Sequence, residues 1–188
     1  MVRYTKKLFS FVRRQIGVCV FRAMTSVVAL FDFLGAIMIV SFCGHSSYVE
    51  SKEDEKKIID FLERKAGNAP LSLYLGGYGA FDEFARRCGK KYQATHPNTE
   101  LIFITPYMTL EYQKNHLEHL GGLYDDIIYP ELESVPLRFA ISYRNKWMVE
   151  KSDCVISYIK HTSGGAYQTY RFAKRKKKEI FNITGLNF

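Results

Sequence analysis

A glycine-rich turn followed by two acidic residues is the first candidate for chemistry in this sequence. The motif Gly76-Gly77-Tyr78-Gly79 follows the apolar run 71–75, which is typical of a buried strand. Glycines at such a strand-to-helix turn let the backbone approach a ligand closely, and the next helix begins with unpaired N–H groups. Asp82 and Glu83 in its first turn place carboxylates where they could bind a sugar hydroxyl or move protons.

A second glycine turn, Thr162-Ser163-Gly164-Gly165-Ala166, follows the apolar segment 153–159 near the end of the chain. Its backbone N–H groups and hydroxyls suit phosphate oxygens. A helix N-cap with a flexible turn explains the same residues as well, so both interpretations stay open. Gly44-His45-Ser46 is a third polar cluster and ends the apolar run 38–43.

Apolar runs alternate with helical patterns along residues 38–188. The predicted strands are 38–43, 71–75, 101–104, 127–129, 153–159 and 180–183, and helices are predicted at about 51–66, 80–89, 109–120, 136–151 and 164–178. This predicts an α/β fold: a three-layer, Rossmann-like parallel sheet of about five or six strands with helices on both faces. Since the carboxyl ends of parallel strands form the ligand crevice, the three polar clusters should converge on one site.

The net charge of +8 is unevenly distributed over the 188 residues. Residues 1–37 carry six basic residues against Asp32, which leaves only +3 for the rest of the chain. Global basicity therefore does not favour nucleic acid as a partner. The run Lys174–Lys178 is most simply a solvated helix end that complements the helix dipole.

Residues 1–37 form an atypical basic and apolar extension. Arg22 and Asp32 interrupt its apolar stretch, so no run reaches the roughly 18–20 uncharged residues of a spanning helix. We expect Met38 to be the natural start and 38–188 to be the domain. A peripheral membrane anchor formed by 1–37 is the alternative, and apart from it no membrane association is predicted.

The cysteines and histidines predict neither a disulfide framework nor a metal site. The four cysteines are scattered without a CxxC pair, which is typical of reduced thiols and a cytoplasmic location. His116 and His119 are spaced for one helix face but lack a third ligand nearby, so surface histidines are the preferred interpretation. No metal or cofactor is predicted.

These motifs resemble those of the SLOG superfamily, Rossmann-like domains related to the Lonely Guy enzymes and to DNA-processing protein A. Phe42-Cys43-Gly44-His45 and the turn 76–79 are similar to the strand ends of small bacterial SLOG proteins of the YpsA-like kind. The segments 144–148, 152–156 and 164–169 follow the order of the Lonely Guy core: basic helix, strand, phosphate loop. The resemblance covers nearly all of 38–188.

The resemblance implies a nucleotide or nucleotide-derived ligand, with its phosphate at 163–166 and its base or ribose near 76–83. Arg144 could add a bidentate clamp, and a surface salt bridge with a neighbour such as Glu150 is the equal alternative for this residue. Related domains often pair. The aromatic residues Tyr167, Tyr170 and Phe172 could form a homo-oligomer interface or belong to the core.

One departure from the Lonely Guy pattern bears on catalysis. Those enzymes carry a glutamate a few residues after the phosphate loop, whereas residues 167–170 here include no carboxylate. Cleavage of an N-glycosidic bond needs a carboxylate. Binding or sensing without turnover is therefore the first hypothesis. The alternative is an N-glycosidase or deoxyribosyltransferase using Asp82 or Glu83 with His45 or Tyr78. Nucleic acid binding through Lys174–Lys178 is the third.

Overall fold

The described structure, a computed structural model, comprises residues 37–188, so the predicted extension lies outside it apart from its last residue. Within 37–188 all strands belong to one parallel sheet in the order β4-β3-β2-β1-β5-β6. The strands are β1 (Met38–Gly44), β2 (Leu71–Leu75), β3 (Thr99–Ile104), β4 (Asp126–Ile128), β5 (Cys154–Tyr158) and β6 (Glu179–Asn182). The predicted Rossmann-like α/β fold is confirmed.

Helices cover both faces of this sheet. They are α1 (Lys52–Lys65), α2 (Ala80–Thr95), the single turn α3 (Leu110–Tyr112), α4 (Leu137–Lys151) and α5 (Gly164–Arg175). Successive residues of a strand point to opposite faces. Phe42 accordingly packs in the cluster that holds the apolar residues of α1 and α2. Its neighbour Cys43 packs with Val149 of α4 and Ala173 of α5.

Three helix boundaries differ from the predicted ones. Helix α2 continues through Gly89 to Thr95, and a β-carbon at Gly89 would lie 2.9 Å from Leu73 and 3.2 Å from Leu101. This glycine permits close packing on the sheet and does not end the helix. The predicted helix 109–120 consists of α3, a π-helical segment and a 3-10 turn, and α5 ends at Arg175, before the predicted 178.

The aromatic residues of α5 belong mainly to the core. Tyr170 is 3% exposed, and Phe172 packs with Ile180 against the cluster beneath α4 and α5. Tyr167 is half-buried and contacts the ring of Phe188 edge-on. Self-association of the protein stays a prediction.

Residues 37–188 also bear on the predictions about membrane spans, cysteines and metal sites. None of their helices is long and apolar enough to cross a membrane. Cys43, Cys88 and Cys154 are unpaired and buried. This part of the chain also contains no group of three or more His, Cys, Asp or Glu side chains that could hold a metal ion.

The connection order places a switch point between β1 and β5. The chain steps outward from β1 through β2 and β3 to β4, then returns to place β5 on the other side of β1. The loops after β1 and β5 therefore lead to opposite faces of the sheet and leave a crevice between them, where open α/β sheets bind ligands. The N–H of His45 still bonds the carbonyl of Tyr158 at 3.2 Å, so the two loops start side by side.

Candidate functional site

A cavity of about 320 Å³ lies at this switch point, and its volume is within the range of small-molecule sites. We call it the crevice. The predicted site residues on its wall are Gly44, His45, Ser46, Gly76, Tyr78, Asp82, Arg144, Gly164, Gly165 and Ala166. Gly77, Gly79, Thr162, Ser163 and Glu83 do not line it. The structure thus gathers most of the three predicted clusters in one place.

The first glycine turn is filled by the protein's own side chains. A β-carbon at Gly76 would lie 2.7 Å from Nη1 of Arg144 and 2.8 Å from Oδ2 of Asp82, and one at Gly77 would lie 2.5 Å from the ring of Phe103. At the end of β1, a β-carbon at Gly44 would likewise overlap the ring of Phe81. Asp82 also occupies the start of α2, because the N–H of Tyr78 donates to its Oδ2 at 2.9 Å. The close approach predicted for these glycines is made by protein side chains.

The second glycine turn is open. A β-carbon at Gly164 or Gly165 would meet no heavy atom within 4 Å, and Gly164 has a φ of +83°, which favours glycine. Helix α5 has no side-chain cap and no acidic residue in its first turn. Ser163 lies at the cap position but its hydroxyl bonds Nδ1 of His161 at 2.9 Å. The start of α5 therefore offers N–H groups and a positive dipole end to an anion.

Arg144 is a buried brace between two strand ends. Its side chain is 1% exposed, and Nη1 donates to the carbonyl oxygens of Gly76 at 2.7 Å and Ile104 at 2.8 Å. Its Nε is buried without a partner. The alternative of a surface salt bridge is wrong, because Arg144 is buried and donates to these carbonyls; Glu150 pairs with Lys176 at 2.8 Å instead. Since Nη1 is engaged by the two carbonyls, a bidentate contact with a phosphate would have to use Nε and Nη2.

Asp82 and Glu83 are adjacent in sequence but differ in environment. Asp82 is 8% exposed on the crevice wall, and burial raises its pKa to about 6 against the opposing effects of Arg144 and the Tyr78 N–H. Glu83 is half-exposed and forms ion pairs with Arg86 at 2.5 Å and Arg87 at 3.3 Å. The hydrogen bond from Arg86 lowers the pKa of Glu83. Of these two carboxyls, only Asp82 combines burial, a raised pKa and a place in the crevice, which is typical of functional carboxyls.

Six further wall residues were not predicted as site residues: Phe42, Cys43, Ser47, Ile141, Asn145 and His161. The ring of His161 stacks on that of His45 with centroids 3.7 Å apart. His161 begins the second glycine turn, so the reasoning that selected Gly164 could have included it. Burial, with a smaller effect of Asp82, raises the pKa of Cys43 to about 12, so its thiol is protonated at neutral pH and is a poor nucleophile.

A second depression, the basic groove, lies between α4 and α5 and is lined by Ser142, Lys146, Gln168, Thr169, Arg171 and Arg175. Among residues 37–188, the three groove cations Lys146, Arg171 and Arg175 have no carboxylate within 4.0 Å. The lysine and arginine salt bridges in this part of the chain are formed by other residues. Lys146 lies 4.8 Å from the ring centre of Tyr143, and Arg171 lies 6.0 Å from that of Tyr167. The groove adjoins the crevice, since Asn145 donates to Thr169 at 3.3 Å.

The predicted basic run 174–178 shares only Arg175 with this groove. Lys176 is paired with Glu150, and Lys178 donates to the carbonyl of Ser152 at 2.6 Å. Lys174 bonds the carbonyl of Phe188. Much of the run's charge is therefore engaged in holding the end of α5 and the C-terminus to their surroundings.

Comparison with known proteins identifies the fold. No protein-family model and no curated protein sequence matches the chain. The structure resembles DNA processing protein A (DprA) from Streptococcus pneumoniae, with a TM-score of 0.53 and 19% identity over 80% of this chain and 51% of that one. It also resembles DNA processing protein A from Helicobacter pylori, which has a unique single-stranded DNA binding mode, with a TM-score of 0.52 and 18% identity over 80% of this chain and 67% of that one.

These likenesses confirm the predicted relationship in fold to DNA processing protein A. At such identities they concern the fold alone. The chain spans about half the length of the Streptococcus pneumoniae protein, so activities and partners of the longer protein require separate support here.

Proposed function

We propose that this protein binds a nucleotide or nucleotide-derived ligand in the crevice, with the ligand's phosphate at the start of α5 beside Gly164 and Gly165. The observation that carries the proposal is the open, uncapped start of α5 on the wall of the crevice. Two residues of the same wall each have a buried polar atom without a partner, Nε2 of His45 and Nε of Arg144. Buried polar groups in proteins normally have partners, and a phosphate-bearing ligand would provide them.

The opposite wall of the crevice suits a planar organic group. Tyr78 is 38% exposed, and the guanidinium carbon of Arg144 lies 5.3 Å from its ring centre. The Tyr78 hydroxyl lies 2.7 Å from that of Tyr112, which orients the ring. A base that stacks on Tyr78 would pack on an aromatic ring that already contacts the guanidinium of Arg144.

A screen of mononucleotides against their nucleosides tests the proposal by thermal unfolding of the full chain. A ligand at about 100 times its Kd stabilises a protein by about 2.7 kcal/mol, which for a domain of this size raises Tm by roughly 5–10 °C. We expect this shift for at least one mononucleotide and not for the nucleoside that lacks its phosphate. Equal shifts for both would contradict a phosphate site.

Gly165→Val locates the phosphate. Its β-carbon meets no protein atom, so the variant should fold with nearly unchanged stability while its side chain enters the anion-binding space. We expect the nucleotide-induced shift to be lost. A variant that keeps both its Tm and its ligand response would place the phosphate elsewhere.

Turnover is the alternative role of the same crevice, and the buried Asp82 is the observation that favours it. An N-glycosidic hydrolase or transferase would release free base from the stabilising nucleotide during incubation, and Asp82→Asn should abolish that release while Glu83→Gln should not. A stabilising nucleotide that stays intact supports a binding or sensing role.

A second candidate function is the binding of single-stranded DNA. The unpaired cations and neighbouring tyrosines of the basic groove favour it, because single strands are held by basic tracks with aromatic platforms. The Helicobacter pylori neighbour in fold binds single-stranded DNA. A strand in the groove could place one phosphate at the start of α5, since groove and crevice adjoin.

Binding of an oligodeoxythymidine at several salt concentrations tests this candidate. Each lost phosphate contact lowers the slope of log affinity against log salt by about 0.7 for a single strand. Arg171→Gln with Arg175→Gln should reduce the slope by about 1.4. Lys151→Gln with Lys177→Gln removes the same charge from exposed positions outside the groove and should change it little. Equal effects of the two double variants would exclude the groove as the DNA site.

A further inference from the structure

We propose that the stacked imidazoles of His45 and His161 form an anion-contact site in the crevice, and that an anion bound there is bound together with a proton. The inference rests on the proposed function, because it assigns the side chains that meet the ligand's anionic group. It goes further in coupling the occupancy of the site to pH.

The two rings lie face to face across the switch point. His45 follows β1 and His161 follows β5, and their planes are 19° apart with centroids separated by 3.7 Å. The bond between Nδ1 of His161 and the Ser163 hydroxyl, 2.9 Å long, holds the second ring beside the first turn of α5. The pair therefore borders the open space at Gly164 and Gly165.

His45 has an unused polar atom at this place. Its side chain is 6% exposed, and its Nε2 is buried without a hydrogen-bond partner. Leaving a buried polar group unsatisfied costs free energy. A ligand oxygen that accepts a hydrogen bond from Nε2 would remove that cost.

The same surroundings couple the site to a proton. Burial lowers the pKa of His45, as does the charge of His161, while a hydrogen bond with the His161 backbone opposes both. The neutral form of His45 is consequently favoured in the absence of ligand. An anion next to the ring favours its charged form, so binding should raise the pKa of His45 and draw in a proton.

Other titratable or charged groups also face the crevice. They are Cys43 from β1, Tyr78 from the loop after β2, Asp82 from α2 and the guanidinium of Arg144 from α4. The pKa values of Cys43 and Tyr78 are raised far above neutrality by burial. Asp82, with a pKa of about 6, is the one of these four that could take up a proton near neutral pH, and a test must separate it from the histidines.

Sulfate is a suitable probe because its charge stays fixed across the relevant range. We expect the full chain to bind sulfate at least about tenfold more tightly at about pH 5.5 than at about pH 8, measured by chemical-shift titration of the histidine rings. His45→Gln and His161→Gln should each flatten this dependence. His119→Gln removes an exposed histidine outside the crevice, and Asp82→Asn removes the competing carboxyl; both should leave the dependence in place.

The outcomes separate the two proposals. If the affinity for sulfate does not change between the two pH values, and the affinity for a nucleotide does not change either, the proton coupling is wrong and the proposed function stands. Dependence that persists in both histidine variants, or that disappears only in Asp82→Asn, also overturns the assignment to the pair. If neither nucleotides nor sulfate bind at all, the proposed function fails and this inference fails with it.

Discussion

Replacing Asp82 with asparagine should stabilise the folded protein at neutral pH. The carboxyl is buried, and its pKa rises from 3.8 to about 6 despite the attraction of Arg144 and the hydrogen bond from the Tyr78 N–H. Ionising it in the folded protein therefore costs more than ionising it in the unfolded chain. The difference corresponds to ~3 kcal/mol at neutral pH, and the asparagine oxygen can still accept the Tyr78 hydrogen bond.

The sign of the pH dependence follows from the same pKa. Because the folded protein holds this proton more tightly than the unfolded chain, its stability falls as the pH rises from about 4 to about 6 and stays reduced above that. We expect the difference in stability between Asp82→Asn and the parent to be small near pH 4 and to grow to ~3 kcal/mol by pH 7.

Urea denaturation of both proteins at several pH values measures this difference. Glu83→Gln is the matched control: its carboxyl is half-exposed and ion-paired, so its removal should change stability by less than about 1 kcal/mol. If Asp82→Asn is less stable than the parent at pH 7, the contacts of the carboxylate outweigh its burial. Asp82 would then be a structural cap of α2, and its raised pKa would no longer mark it as a functional carboxyl.

Two other substitutions test the packing around the crevice. Gly44→Ala should destabilise the protein by about 1–3 kcal/mol, because the added methyl overlaps the ring of Phe81; an unchanged urea midpoint would show that this ring can move aside. Arg144→Lys should cost about 1–3 kcal/mol, because the ammonium on its flexible stem does not lie where Nη1 donates to both carbonyls and loses the contact of the planar guanidinium with the Tyr78 ring. The exposed Arg87→Lys serves as its control in the same thermal-unfolding assay, and equal Tm values for the two variants would contradict the brace.

The sequence determined the fold class and the general position of the site. The apolar runs are too short and too uniform for amphipathic helices, so they indicate buried parallel strands, and the helical patterns between them provide the covering layers. Because the carboxyl ends of parallel strands meet at one edge, the polar clusters at 44–46, 76–79 and 162–166 could be assigned to one crevice before their contacts were known.

The tertiary structure decided which of those residues are free to meet a ligand. The two glycine turns have similar compositions, but only the packing of Phe103, Arg144 and Asp82 shows that the first is filled, while the second faces open space. Asp82 and Glu83 are separated by one helix step of about 100°, and the line along which α2 meets the sheet buries one and exposes the other. Periodicity in the sequence does not define that line.

Contacts between segments distant in the chain could not be predicted from the sequence for a related reason. His45 and His161 stack because β1 and β5 are neighbours in the sheet, and the strand order that makes them neighbours is set by the packing of the whole chain. Gly89 is a second example, within one helix. Local propensity predicts a helix end at this residue, whereas the close packing of α2 on Leu73 and Leu101 favours a glycine inside the helix. Local patterns determine the elements, and only their packing determines which side chains meet.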